Sequence, residues 1–305
     1  MEKLSKKYKR YWQLYLFLLI PVAYVFIFNY IPMVGVQISF KKLKITNTIW
    51  NAPWIGLENF QRFLGSYQFI DILLNTVVLS AYSVLAAFPF PILFALTLNA
   101  IEKNRYKKTI QTITYIPHFI SVVVLVSIVN QVLHPMTGIY GVLYKTITGQ
   151  MPEDLMGIPS AFPHIYVWSS VWQNFGYNSI IYFAALSSVD PELHEAAKVD
   201  GASRFRRVLH VDVPAILPTI TIMLILRMST VMTIGFQKVY LMQNTLNLEA
   251  SEVISTYVYK KGLASGVSND YSYSTAVDLF NSVVNLMLVT VSNAISRKVS
   301  ETSLW

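Results

Sequence analysis

Residues 195–218 read EAAKVDGASRFRRVLHVDVPAILP. Four basic and three acidic side chains sit in this segment, yet long apolar stretches flank it on both sides. The charges are patterned. Asp190-Pro191-Glu192 offers a capping acid, a proline at the first helical position and an acid in the first turn. The spacing predicts a helix through Glu195, Ala196, Ala197 and Val199, ended at Gly201, where a left-handed residue is free of steric cost. Ser203 caps a second helix carrying Phe205, Val208, Leu209 and Asp212, and Pro214 marks the start of the next apolar stretch. Alone, the segment reads either as a solvated charged loop or as an elbow whose small alanines let another protein approach closely, with Glu195 and Asp200 setting charge register.

The rest of the chain decides where this segment lies. Of 305 residues, 54% are hydrophobic and only 13% charged, about half the charge of a soluble domain. A membrane span needs roughly 20 apolar residues. Six stretches qualify, at about 11–40, 72–100, 109–133, 165–189, 215–242 and 273–295; the fifth holds Arg227 and Lys238, the sixth Asp278. The expectation is an all-α membrane protein with six transmembrane helices in a single domain spanning 1–305. The first stretch is too long for a cleaved signal peptide, and no small-residue cleavage site follows it.

Basic residues orient the spans. With both termini cytoplasmic, the inside holds Lys3, Lys6, Lys7, Lys9, Arg10, Lys103, Arg105, Lys107, Lys108, Lys198, Arg204, Arg206, Arg207, Arg297 and Lys298. The outside holds Lys41, Lys42, Lys44, Arg62, Lys145, Lys260 and Lys261. Fifteen against seven places segment 190–214 in the cytoplasm. The net charge of +8 is then mostly a topology signal and not a nucleic-acid footprint. Outside, residues 41–70 carry Trp50, Trp54 and GLENFQRF, the composition of an interfacial amphipathic piece.

Glu195-Ala196-Ala197, three residues, Gly201, nine residues, then Val211-x-Val213-Pro214 resembles the EAA loop of membrane subunits in binding-protein-dependent ABC importers, with Val at the aliphatic positions. Trp54 to Phe60, DPELHEAAKVDGAS and GFQKVYLMQN are similar to carbohydrate-uptake permeases, especially the compact polysaccharide and oligosaccharide ones. The resemblance covers nearly the whole chain. It implies a type I ABC importer permease fold, a second permease subunit (by family habit a different chain), two cytoplasmic ATPase subunits and an extracytoplasmic sugar-binding protein. It implies that Glu195, Ala196, Ala197, Asp200, Gly201, Phe205 and Pro214 form the ATPase-coupling helix, the glutamate meeting a basic residue there. No G-x-x-x-x-G-K-[ST] phosphate loop is present, which agrees with what the resemblance implies: ATP and magnesium held by the partner ATPases, and no cofactor or catalytic site expected on this chain.

Candidate pathway residues are those whose chemistry suits sugar, aromatic faces with amides: Asn130, Trp172, Asn174, Asn178, Phe236, Gln237 and Tyr240. The plainer reading is that such amides bond helices together and such rings form interfacial belts. Arg227 lies near mid-membrane, about 20 Å beyond Pro214 at 1.5 Å per residue, where it either lines a pathway or pairs with the partner permease. Lys238 is expected to snorkel to the outer surface. The five histidines show no metal-ligand spacing, and a metal site is not expected. The remaining alternatives are an ABC permease for another solute, a stand-alone secondary transporter, and a membrane enzyme of glycan synthesis. The secondary transporter wants an inverted repeat and a coupling-ion site, the enzyme a cluster of acids or histidines; neither is visible.

Overall fold

A computed structural model describes residues 11–300 apart from 45, 102, 229–230, 233 and 267–268. The basic residues Lys3, Lys6, Lys7, Lys9 and Arg10, and the side chain of Lys298, lie outside the described residues. Among the described residues every regular element is helical; an isolated bridge joins Lys41 to Trp54 and there is no strand.

The helices follow from the charge-free stretches. Helix α1 (Trp12–Val25) continues through a π turn at Phe26–Tyr30 into a 3₁₀ stretch at Ile31–Phe40. Pro32 has no N–H for the carbonyl of Phe28, and just before it the ladder widens, Ile31 N–H bonding Phe26 O five residues back. This first stretch exposes apolar side chains all round, from Trp12 to Met33. Such a surface needs lipid or a partner to cover it. Among the described residues, four helical stretches are long and apolar enough to cross a bilayer: Trp12–Phe40, Phe69–Asn99, Arg204–Met228 and Tyr271–Ala294. A fifth crossing is available if Asn104–Phe119 and Val122–Leu133 count as one span bent by 101°.

Three of the expected spans depart from continuous helices. In 109–133, α5 (Asn104–Tyr115) and the 3₁₀ turn Ile116–Phe119 give way to extended backbone at Ile120 and Ser121 before α6 (Val122–Leu133), which α7 (Ile139–Thr148) follows. In 215–242, helix is described as far as Met228, Val231 and Met232 form a turn, and helix is found again from Phe236. The 165–189 stretch is divided into α8 (Phe162–Asn178) and α9 (Ile180–Ser187) and is not among the helices apolar enough to qualify; Gln173, Asn174 and Asn178 lower its apolarity.

The chain forms two compact units, Met1–Ser66 with Val258–Phe280, and Tyr67–Tyr257 with Asn281–Trp305. In the first, α2 (Glu58–Leu64) is the expected amphipathic piece: Phe63 is buried against the rings of Tyr273 and Phe280, while Arg62 pairs with Asp270 at 2.5 Å. In the second, α3 (Phe69–Ala87), α4 (Pro89–Asn99) and α5 all pack on α8. Gly176 makes that approach possible, since a Cβ there would stand 2.2 Å from the Thr114 carbonyl oxygen. A second apolar cluster joins α4, α9 and α12 (Val213–Met228) through Leu96, Tyr182, Phe183 and Ile216.

Candidate functional site

The segment 190–214 forms a capped elbow. Asp190 accepts the Glu192 N–H at 2.9 Å, Pro191 occupies the first turn, and α10 runs Pro191–Val199. Its end is closed twice: Gly201 N–H bonds Lys198 O at 3.0 Å and Ala202 N–H bonds Ala197 O at 2.9 Å. Gly201 supplies the left-handed residue, with φ of 75°, so this is a Schellman stop. Ser203 then accepts the Arg206 N–H at 3.3 Å and starts α11 (Arg204–Arg207). A π turn at Val208–Asp212 leads into α12, and Val213 N–H bonds Val208 O just before Pro214. All three caps stand at the positions expected from the sequence.

The two faces of the elbow differ. Glu195, Ala196, Asp200 and Gly201 are exposed and Ala197 is half-buried. Leu193, Val199, Phe205 and Leu209 are exposed as well, Val199 at 88% and Phe205 at 74%. On the inner side, Asp212 is buried and its Oδ1 lies 3.2 Å from His194 Nε2 of α10 and 3.5 Å from Asn99 Nδ2 of α4. Lys107 of α5 donates to Asn99 Oδ1 at 3.4 Å. The elbow is thereby tied to the end of one membrane helix and the start of the next. Sequence reasoning missed this tether, because its members are up to 113 residues apart and show no local pattern.

A cavity of about 460 Å³ opens between α3–α4, α8, α9 and α12, within the range of small-molecule sites. Ser170, Asn174, Asn178 and Arg227 are among its lining residues, with Tyr182 and Met223. Asn174, Asn178 and Arg227 of the expected pathway residues are thus brought together; Ser170 and Tyr182 were not expected. The Asn174 amide is already engaged, its oxygen with His118 Nδ1 at 2.9 Å and its nitrogen donating to Ser170 O at 3.0 Å. His118 in turn stacks flat on Tyr177, centroids 3.8 Å apart. The other candidates lie elsewhere. Trp172 is exposed on α8 and Asn130 is exposed on α6, against which α13 (Phe236–Met242) packs. On α13, Phe236 stacks with Tyr240 at 5.5 Å and Gln237 is exposed.

Lys238 does not snorkel. It is buried, and its Nζ donates to Tyr166 O at 3.1 Å and to Ser170 Oγ at 2.6 Å, 5.0 Å from the centroid of the Tyr166 ring. The interruption before α13 is the reason: α13 is a separate short helix packed on α8 and α6, so the lysine stem points into protein and does not run up a continuous helix to the surface.

The family of the "Binding-protein-dependent transport system inner membrane component" matches residues 87–301, a range that holds the elbow and the cavity lining. The chain is 41% identical to Protein LplB of Bacillus subtilis (strain 168) over 292 residues, 96% of this chain and 91% of that one. It is 38% identical to the polygalacturonan/rhamnogalacturonan transport system permease protein YteP of the same organism, over 96% of this chain and 90% of that one. A chain in the crystal structure of a bacterial alginate ABC transporter in complex with alginate pentasaccharide-bound periplasmic protein superposes with a TM-score of 0.90 at 37% identity, covering 99% of this chain and 100% of that one. A multi-pass helical chain with this elbow and this cavity belongs to the inner membrane components of binding-protein-dependent transport systems and has the fold of a type I ABC importer permease.

Proposed function

We propose that the chain is the membrane-spanning subunit of an ATP-driven oligosaccharide importer of the bacterial cytoplasmic membrane, forming half of the translocation pathway. It crosses the bilayer six times with both termini in the cytoplasm. The segments 109–133 and 215–242 cross as interrupted helices, and 165–189 as two successive ones. Irregular backbone at membrane depth is tolerated where protein or a water-filled cavity covers it. Its partners are a second permease subunit, two cytoplasmic ATPases that hold ATP and magnesium, and an extracytoplasmic sugar-binding protein. The chain itself makes and breaks no covalent bond.

The observation that carries this reading is the elbow. A Schellman stop and two caps fix its shape, and a buried aspartate ties it to membrane helices. Its outer face still exposes Leu193, Val199, Phe205 and Leu209 beside Glu195. A stiff lever with an exposed apolar face suits insertion into a groove of another protein. ATP-driven movement of the ATPases is then passed through the elbow to α12 and the cavity. Carbohydrate as the cargo is supported by the names of the relatives and by a cavity with amide, hydroxyl and aromatic groups.

A pull-down from native membrane in mild detergent tests the assembly, with Glu195→Arg as the comparison. The expected result is recovery of an ATPase and a second permease, the ATPase weakened by the variant. Recovery of the chain alone, still moving solute in liposomes, sinks the importer reading. It would promote a secondary transporter, to which interrupted spans also belong.

A further inference from the structure

A second concavity, of about 420 Å³, lies on the elbow itself. Residues 197–211 build it: Ala197 of α10, Ala202 of the bend, Arg206 and Arg207 of α11, and His210 and Val211 of the π turn. Its ionisable groups are all basic, and the exposed acids Glu192, Glu195 and Asp200 stand outside the lining. A guanidinium stays charged at any cellular pH. Among the described residues neither Arg206 nor Arg207 forms an ion pair. Asp212 does feel the Arg207 charge, but its Oδ1 already meets His194 and Asn99, and one carboxylate does not balance two guanidiniums. Arg207 Nε is buried and has no hydrogen-bond partner among the described residues. A buried donor left open is costly and rare, so this one calls for an acceptor from outside the fold.

The alanines matter as much as the arginines. Their small side chains leave room for a group larger than a carboxylate, and with Val211 they make a hydrocarbon wall that competes for no hydrogen bond. Guanidinium forks bind phosphate oxygens in parallel pairs. In the proposed topology the fifth span begins at about residue 215, so Arg206 to Val211 precede it by about 6–14 Å of helix at 1.5 Å per residue. The headgroup layer adds about 5–7 Å to each side of the hydrocarbon core, and an arginine stem spans the difference. Basic pockets at the cytoplasmic ends of membrane helices are places where anionic headgroups bind.

We propose that this pocket binds the phosphate of an anionic phospholipid of the cytoplasmic leaflet. Arg206 and Arg207 take the phosphate oxygens, and the two alanines and Val211 pass the glycerol. The inference rests on the cytoplasmic placement of the elbow and on nothing about the cargo. A lipid held here pins the elbow to the membrane surface. It leaves Glu195, Asp200 and Phe205, which lie outside the lining, to the ATPase.

The test uses the assembled transporter, stripped of lipid in detergent, and native mass spectrometry to count what it rebinds. The probes are dioleoylphosphatidylglycerol, dioleoylphosphatidylcholine as the zwitterionic reference, and inorganic phosphate alone. Wild type is expected to prefer phosphatidylglycerol. Arg206→Gln with Arg207→Gln should weaken its binding about tenfold or more, the usual consequence of losing charge-assisted bonds. Ala202→Glu, which sets a carboxylate in the pocket and keeps both arginines, should do the same; it decides the matter if the paired variant does not assemble. Equal retention of phosphatidylglycerol by wild type and Ala202→Glu overturns the proposal, as does equal retention of the two lipids by wild type. Inorganic phosphate that binds through the same arginines and keeps phosphatidylglycerol out gives the pocket to a soluble anion and overturns the lipid. Loss of the ATPase from the paired variant, with lipid retention unchanged, gives the arginines to the partner and overturns it too. Rebinding in detergent does not depend on sidedness. Failure of the pocket therefore shows there, whereas failure of the topology shows as labelling of the elbow from outside the cell with lipid binding intact.

Discussion

Gly201 shows how much one residue can carry. Its φ of 75° lies in the left-handed region, where an L side chain costs about 1–2 kcal/mol, yet a Cβ there would meet nothing within 4 Å. Gly201→Ala therefore strains only the backbone, whereas Gly201→Asp adds a charge beside Asp200 on the exposed face. The expected outcome is a graded one. Both variants reach the membrane, and the aspartate variant loses sugar uptake more completely than the alanine one while the ATPases still hydrolyse ATP. Uptake and hydrolysis measured on the same vesicles check this, and normal uptake in Gly201→Asp would remove the elbow from coupling. Residues of this kind were legible because a cap is a local event: Asp190, Gly201 and Ser203 act within three or four positions of themselves. Asp212 with His194 and Asn99 was not, since only the folded chain brings those three positions together. Lys238 was misread for a related reason. Snorkelling presupposes an unbroken helix leading to the surface, and the lysine lies just past an interruption.

Among the elements, the two π turns share a cause. Each ends two residues before a proline, at Tyr30-Ile31-Pro32 and at Asp212-Val213-Pro214, where the missing N–H removes an ordinary ladder bond and the ring crowds the carbonyl four residues back. The turn ahead of Pro214 stands between elbow and membrane helix, so it sets their rotational register. With Pro214→Ala an N–H returns for the His210 carbonyl, and closing the turn to regular helix would rotate the elbow by about 100°, one residue of an α-helix. The variant is expected to be at least as heat-stable as wild type and poorer in sugar moved per ATP. Differential scanning fluorimetry and coupled uptake give the two readings, and unchanged stoichiometry would deny the turn its role. The helices Trp12–Phe40, Phe69–Asn99, Arg204–Met228 and Tyr271–Ala294 were legible as long apolar stretches. The break within 109–133 was not: Gln173 Nε2 reaches across from α8 to the carbonyl of Ile120 at 3.0 Å, satisfying backbone that the break leaves open. Only tertiary structure supplies that donor.

For the whole molecule the open quantity is which side of the bilayer each end of the helices faces. The chain has no cysteine, so single cysteines report without background. Gln150→Cys and Val199→Cys are both at exposed positions. A membrane-impermeant maleimide is expected to label Gln150→Cys on intact cells and Val199→Cys only after lysis; the reverse pattern would invert the topology. The buried lysine bears on how the chain is made. In the proposed topology segment 215–242 carries Arg227 and Lys238 into the membrane, and a charge at a helix centre weighs roughly 2.5–3.5 kcal/mol against insertion. The oxygens that settle Lys238 belong to Tyr166 and Ser170, which leave the ribosome some seventy residues earlier. On that topology the fifth segment is expected to be a weak passenger by itself at the translocon, and its entry into lipid to be cooperative with the fourth, which supplies the oxygens that Lys238 needs.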